Sequence, residues 1–115
     1  MPKETICIAI QNRGKLDAGP NLVVSGSHGH GVLVKNNSHA SLAGSSITGS
    51  SHGGLVVVNQ STIAVGWNDP LTAISGNGTD LFCDSKSLIT GGANIANATI
   101  VQCNNVLPGD YENLP

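Results

Sequence analysis

The sequence is poor in charged and aromatic side chains. Only 10% of its 115 residues are charged, and Trp, Tyr and Phe occur once each. The five Lys and Arg residues are scattered and outnumbered by seven Asp and Glu residues, so the chain lacks the basic footprint of a nucleic-acid-binding protein. The hydrophobic content of 39% also argues against a disordered chain, which combines low hydrophobicity with high net charge.

Long apolar runs and a leader sequence are also missing. The longest unbroken runs are Ile6–Ile10 and Leu55–Val58, far short of the roughly 20 residues that cross a bilayer. The first five residues, Met-Pro-Lys-Glu-Thr, do not resemble a secretory signal. We therefore expect no membrane partner. A complete chain is expected in the cytoplasm, and a processed fragment is expected to be secreted or at the cell surface.

What the chain does contain is a repeat of short apolar segments. A first series starts at residues 8, 32, 55, 81 and 101. A second series follows it and ends in glycine, and a third series follows the second, so three series share a period near 23 residues. Such short Val- and Ile-rich runs between Gly, Asn and Ser predict three short strands in each coil of a solenoid. The second series is Leu16 to Gly19, Leu42 to Gly44, Ile63 to Gly66 and Leu88 to Gly91, and the third is Val24 to Gly26, Ile47 to Gly49, Ile74 to Gly76 and Ile95 to Asn97.

The first series also predicts which side chains fill the interior. Its first and third positions are apolar in every coil, as at Ile8 and Ile10 or Leu55 and Val57. Alternation along a strand sends these side chains inward, stacked at roughly 4.8 Å per rung. The sequence therefore predicts one all-β domain over residues 1–115, with about four to five coils and a C-terminal cap over residues 106–115.

Asparagine closes the first strand at Asn12, Asn36, Asn59 and Asn105. With these residues and the three-strand coil, the chain resembles the single-stranded right-handed parallel β-helix of the pectin lyase-like superfamily. The resemblance covers roughly residues 6 to 105, and residues 74 to 105 also look like the terminal coils of many bacterial β-helix proteins. It implies a right-handed winding and, as one functional alternative, a pectate lyase-like carbohydrate-active enzyme or a fragment of one.

The outer positions give little support to that enzyme. Relatives with lyase or hydrolase activity place acids, Arg or Lys and often Ca²⁺ on the outer face of the strands. Here that face offers Lys35 and Asp84, which are two rungs or roughly 9.6 Å apart, with Val58 between them. We assign no catalytic residue and no cofactor, and we expect a structural or binding module for a polysaccharide or a protein.

Four apolar side chains are predicted to face outward on adjacent rungs: Leu33, Val56, Val58 and Phe82. Contiguous exposed apolar patches usually mark an interface. We expect a homo-oligomer that forms through this face or by end-to-end stacking of solenoids. Cover by the C-terminal tail and a role as a ligand surface remain alternatives.

Three histidines fall in the turns that precede the first strands of adjacent coils. His28, His30 and His52 are candidate ligands for Zn²⁺ or Cu²⁺, which imidazole suits. The alternative is that His-Gly pairs suit tight turns and stay solvated.

The third coil contains an insertion with the only tryptophan. Trp67 lies beside Asp69 and is a candidate to stack on a sugar ring, with Lys35 and Asp84 as further candidate ligand contacts. Packing over the solenoid wall or in a dimer contact is the alternative. The outward column Ser25, Thr48 and Ser75 faintly suggests an ice-binding surface.

Two cysteines occupy the same inward position in successive rungs. Cys83 and Cys103 are therefore expected roughly 4.8 Å apart at Cα, within the range of a disulfide. A bridge in an oxidising compartment and stacked free thiols in the cytosol both fit. The odd count, with Cys7 as the third cysteine, favours free thiols.

Overall fold

The computed structural model describes residues 8–18, 22–65, 72–91, 95–96 and 98–107. These residues contain fourteen short strands and no helix. The strands are β1 (Ile8–Ile10), β2 (Lys15–Asp17), β3 (Val23–Ser25), β4 (Val32–Val34), β5 (His39–Ser41), β6 (Ser46–Thr48), β7 (Gly53–Val57), β8 (Thr62–Ala64), β9 (Thr72–Ser75), β10 (Thr79–Cys83), β11 (Leu88–Thr90), β12 (Ile95–Ala96), β13 (Val101–Gln102) and β14 (Val106–Leu107).

Each strand pairs with the strand that lies three places earlier in the chain, so the chain winds as a parallel β-solenoid with three strands per coil. The first sheet has the order β1-β4-β7-β10-β13, the second β14-β11-β8-β5-β2 and the third β12-β9-β6-β3. All pairings are parallel. The all-β solenoid predicted from the repeat is thus confirmed, while the right-handed sense of winding stays a prediction.

Apolar columns fill the interior of the solenoid. Along the first sheet, Ile8 pairs with Val32, Val32 with Leu55, Leu55 with Leu81 and Leu81 with Val101. The inward position predicted for Val101 was wrong, because Val101 lies on the end strand of this sheet and is 48% exposed. Val32 and Leu55 are fully buried. A fully buried side chain of this size stabilises the fold by about 1.5–3 kcal/mol, so these columns hold successive coils in register.

The turn that follows the first sheet, here called the trailing corner, bends through left-handed residues. Asn12, Asn36 and Asn59 have φ of 58°, 62° and 58°. Their side chains form a ladder, because the Asn59 amide donates to Oδ1 of Asn36 at 3.0 Å and the Asn36 amide donates to Oδ1 of Asn12 at 3.4 Å. Asparagine suits this corner since it tolerates the left-handed region.

Buried serines link the trailing corners of successive coils. The Ser38 N–H donates to Oγ of Ser61 at 3.1 Å, and the Ser61 N–H donates to Oγ of Ser87 at 3.2 Å. In the first coil, the Gly14 N–H donates to Oγ of Ser38 at 3.0 Å. The Asn-x-Ser tripeptides at residues 36 and 59 are therefore the structural repeat of this corner.

Three positions of the second and third series were aligned wrongly. Ile63 pairs with Ile89 and not with Leu88, and Ile95 pairs with Thr72 and not with Ile74. In the second coil the strand begins before Leu42. Leu16 pairs with Ala40, not with Leu42, and Ala40 pairs with Ile63. The Leu42 N–H instead bonds to the carbonyl of Ala64, which places Leu42 one inward position further along the coil. Both Ala40 and Leu42 are fully buried, so the sequence offered two inward positions and the prediction took the later one.

The C-terminal part of the described chain adds two strands, β13 and β14, after the fourth coil. Val106 and Leu107, which the sequence assigned to the cap, form β14 and pair with β11. Residues 108–115 of the proposed cap lie outside the described residues. Cys83 and Cys103 form a disulfide with their Cα atoms 4.7 Å apart, so the predicted stacking is confirmed and the preference for free thiols was wrong.

Candidate functional site

The turn that precedes the first sheet, here called the leading corner, differs from coil to coil. Gly53 pairs with Thr79, and the register of Val32 with Leu55 places His30 beside Gly53. One position further along, Gly31 and Gly54 are followed on the next rung by Asp80. The leading corners stay in register from coil to coil, but the residue types at equivalent positions differ, unlike those of the trailing corner.

Asp80 organises the leading corner of the fourth coil. The side chain of Asp80 is only 1% exposed. Oδ1 accepts hydrogen bonds from the Asn77 backbone N–H and side-chain amide at 3.2 and 3.0 Å. Oδ2 accepts bonds from the backbone N–H groups of Thr99 and Ile100 at 2.9 and 3.2 Å. One carboxylate thus joins the start of β10 to the segment that precedes β13.

These hydrogen bonds keep Asp80 ionised. Burial opposes the charge, but the bonds from Thr99, Asn77 and Ile100 outweigh it and lower the pKa of Asp80 below its usual value of 3.8. A carboxylate that accepts several N–H bonds is stabilised in its charged form. Asp80 is therefore a structural anion inside the corner, not an acid that faces solvent.

Glycine at position 53 leaves space for the side chains of His30 and Val56. The Gly53 N–H donates to Nδ1 of His30 at 3.0 Å. A Cβ added at Gly53 would collide with Cγ2 of Val56 and lie 3.0 Å from Nδ1 of His30. Because Nδ1 accepts this bond, the neutral His30 ring carries its proton on Nε2.

An outer groove of about 500 Å³ opens over these residues. Val56, which is 5% exposed, and the half-buried Phe82 supply its apolar side chains. Imidazoles and hydroxyls supply polar groups, and none of the lining residues is an acid, a Lys or an Arg. The groove is lined by His30, Ser51, His52, Gly53, Val56, Gly78, Thr79 and Phe82.

Two of the three predicted histidines come together in the groove. The ring centroids of His30 and His52 are 6.0 Å apart, with the ring planes at 70°. His28 is exposed and does not line the groove. Within the described part of the chain, no three His, Cys, Asp or Glu side chains are grouped closely enough to hold a metal ion.

The predicted outer apolar strip exists in register but is less exposed than expected. Leu33 pairs with Val56, and Val56 pairs with Phe82. Leu33, Val58 and Phe82 are half-buried, whereas Val56 is buried. The central residue of the strip is therefore the floor of the groove.

Lys35 and Asp84 do not converge on the groove. The register places Lys35, Val58 and Asp84 on three successive rungs. Asp84 instead supports the trailing corner, since its Oδ2 accepts the Asn59 N–H at 2.8 Å and its Oδ1 accepts the Lys86 N–H at 3.2 Å. The bond from Asn59 is the main reason why the pKa of Asp84 lies below its usual value of 3.8.

The remaining predicted ligand contacts, Trp67 and Asp69, lie outside the described residues. Sequence reasoning missed the polar part of the groove, namely Ser51 and Thr79. A usable signal was present at Gly53 and Gly78, because glycine in or beside a strand often marks a close approach of other groups.

The fold and groove define a parallel β-solenoid with a solvent-accessible outer site. The chain matches no protein-family model, no curated protein and no solved structure at a significant level. Among the described residues there is no helix with the length and hydrophobicity to span a bilayer. The class of protein is therefore a β-solenoid, and the pectin lyase-like assignment stays a resemblance.

Proposed function

We propose that this solenoid is a non-catalytic carbohydrate-binding module whose outer groove takes an uncharged sugar unit of a polysaccharide. The observation that carries the proposal is the composition of the groove. Phe82 and Val56 form an apolar surface, and the hydroxyls of Ser51 and Thr79 lie at the same site.

A sugar ring has the matching chemistry. Its C–H face packs on apolar and aromatic side chains, and its hydroxyl rim pairs with hydroxyl and imidazole groups, which both donate and accept hydrogen bonds. Binding sites for small ligands are commonly apolar clefts with a few placed polar groups. The lack of a charged side chain among the eight lining residues favours an uncharged unit over an acidic one.

The same lining argues against turnover. Glycoside hydrolysis ordinarily uses two carboxyl groups that flank the bond to be broken, and the described residues place no carboxylate in the groove. The nearest candidates have other tasks, since Asp80 is buried in the leading corner and Asp84 accepts backbone N–H groups. A lyase cleaves by β-elimination and needs a base together with a charged group that neutralises the acid of its substrate, and the groove lining holds no Lys, Arg or acid. We therefore favour binding over the alternative of a pectate lyase-like enzyme.

The proposal is tested by titrating the protein with neutral oligosaccharides chosen from a glycan array. We expect Phe82→Ala to weaken binding at least tenfold, since the substitution removes the aromatic surface. Leu33→Ala is the matched control, because Leu33 is a half-buried residue of the same outer column that does not line the groove. Equal loss in both variants, or no glycan binding by the wild type, would contradict the proposal.

Self-association is the second candidate, favoured by the three half-buried apolar residues Leu33, Val58 and Phe82 on one face. Sedimentation of the wild type and of the Leu33→Asp/Phe82→Lys double variant separates the two roles. A dimer that the double variant splits, combined with no sugar binding, would assign this face to a second copy of the chain.

A further inference from the structure

A second polar surface runs along the trailing corner, on residues distinct from the groove. Hydrogen bonds from N–H to Oγ link four residues of this corner on successive rungs, namely Gly14, Ser38, Ser61 and Ser87. The residues immediately before these four therefore lie on successive rungs, and all four are exposed. This polar column consists of Arg13, Asn37, Gln60 and Lys86.

The backbone of the column is unfavourable for two of its four residues, Arg13 and Gln60. Arg13, Asn37 and Gln60 have φ of 66°, 61° and 64°. Glycine adopts this left-handed region freely and asparagine tolerates it, whereas arginine and glutamine do so at a steric cost. Strained positions that keep long polar side chains motivate a functional hypothesis.

The chemistry of the column is a cation at each end with two amides between them. Three rung spacings separate Arg13 from Lys86, which is roughly 14 Å along the axis. A depression of about 290 Å³ lies here, lined by Asn36, Asn37, Asn59, Gln60 and Lys86. Amide groups both donate to and accept from hydroxyls, and guanidinium and ammonium groups bind anionic oxygens.

The corner also contains one acidic residue, Asp84, which keeps its negative charge because backbone hydrogen bonds lower its pKa. Asp84 directs its two carboxylate oxygens to the backbone N–H groups of Asn59 and Lys86. Lys35 adds another cation nearby, because it precedes the left-handed pair Asn36 and Asn37 in the second coil. The corner therefore combines three cations with one carboxylate, so its formal charge stays positive.

We propose that the polar column binds a linear polysaccharide carrying anionic groups, laid along the solenoid axis. Sugar hydroxyls would meet the amides of Asn37 and Gln60, and sulfate or carboxylate groups would meet Arg13 and Lys86. The spacing of the rungs is close to the rise of one sugar residue in an extended polysaccharide. None of the residues that form the column and its depression is aromatic, and base stacking on aromatic side chains is the usual basis for binding single-stranded nucleic acids.

The probes are dextran sulfate, carboxymethyl dextran and unmodified dextran of equal length. We expect the wild type to bind one or both charged dextrans in a salt-dependent manner, and to bind unmodified dextran at least tenfold more weakly. The preferred charged dextran identifies sulfate or carboxylate as the anionic group. Arg13→Gln and Lys86→Gln are each expected to weaken binding severalfold. Lys15→Gln, an exposed cation of β2 outside the column, is the matched control and should change the affinity less than twofold.

A glycine substitution separates binding from folding. Gln60→Gly fits φ of 64°, so it should raise the midpoint of denaturation while it weakens dextran binding severalfold. A purely structural role would raise the midpoint and leave the affinity unchanged.

Several results would overturn the proposal. These are an equal loss of affinity in Lys15→Gln, an unchanged affinity in Gln60→Gly, equal affinity for single-stranded DNA of matched charge, and no binding of either charged dextran. Phe82→Ala should leave dextran binding intact, so failure of the sugar groove and failure of the polar column can be told apart.

Discussion

The two corners that flank the first sheet solve the same geometric problem in different ways. The trailing corner has the same local structure on three successive coils, with left-handed residues at Asn12, Asn36 and Asn59. A buried serine hydroxyl follows two residues after Asn36 and after Asn59. The leading corner uses His30, Gly53 and Thr79 at equivalent positions. Repetition places similar polar residues on successive rungs, whereas variation makes room for a partly apolar groove.

The difference also lies in where the hydrogen bonds run. The amides of Asn36 and Asn59 bond near the surface, so each rung adds a similar small contribution. At the leading corner the Asp80 carboxylate collects bonds from Asn77, Thr99 and Ile100 in a buried site. We therefore expect substitutions at the leading corner to cost more stability than those at the trailing corner.

The largest effect is expected from Asp80→Asn. An asparagine side chain has one oxygen that accepts hydrogen bonds, whereas the carboxylate has two. The N–H groups that bond to one of the two Asp80 oxygens therefore lose their acceptor. Leaving a buried donor unsatisfied costs about 1–3 kcal/mol, and we expect a total loss of about 3 kcal/mol in the free energy of unfolding. Urea denaturation at neutral pH measures it. A loss below that of the trailing-corner variants would reverse the comparison.

The difference in the free energy of unfolding between the wild type and Asp80→Asn should also depend on pH. Because the folded-state pKa of Asp80 lies below 3.8, its ionised form stabilises the fold fully above that pH. This contribution is lost as the pH falls through the folded-state pKa. The stability gap between wild type and Asp80→Asn should therefore narrow in acid. Asp84 is present in both proteins, so its own titration largely cancels, and a gap that stays constant down to the acid transition would contradict this assignment.

A smaller loss is expected from Gly54→Ala, which tests how tightly the leading corner is packed. A Cβ at this position would lie 2.6 Å from Nδ2 of Asn77 and 3.0 Å from the carbonyl oxygen of Asp80. Overpacking of this kind costs about 2 kcal/mol. Thermal denaturation of the purified variant measures the change.

Gly26→Ala is the control for that variant. Gly26 has φ of 70°, and a Cβ added there would meet no atom within 4 Å, so the substitution adds only the left-handed backbone cost of about 1 kcal/mol. If Gly26→Ala proved the more damaging of the two, backbone conformation and not crowding would dominate the corners.

The repeated part of this architecture could be predicted from the sequence because each rung obeys the same rule. Alternation of apolar residues placed Val32, Leu55 and Leu81 in one inward column, and their pairing confirms it. The second sheet was harder, since Ala40 and Leu42 are both apolar and both buried. Only the pairing of Leu16 with Ala40 decides between them.

The irregular part could not be predicted in this way. Asp80 bonds to Thr99 and Ile100, which are 19 and 20 residues further along the chain, and no local pattern announces such a contact. The groove depends likewise on Gly53, whose missing side chain leaves space for His30 and Val56. The stacking of Cys83 and Cys103 followed from the repeat, but their bonding state did not.

The smallest effect is expected at the trailing corner, from two substitutions of Asn59. Asn59→Gly retains a residue suited to φ of 58° and loses only the exposed bond to Asn36, at a cost of about 0.5 kcal/mol. Asn59→Ala adds the left-handed strain of about 1 kcal/mol and should be the less stable of the two. Chemical denaturation of both variants resolves that difference. If Asn59→Gly lost as much as Asp80→Asn, the amide ladder would hold the coils together as strongly as the buried carboxylate, and the contrast between the corners would disappear.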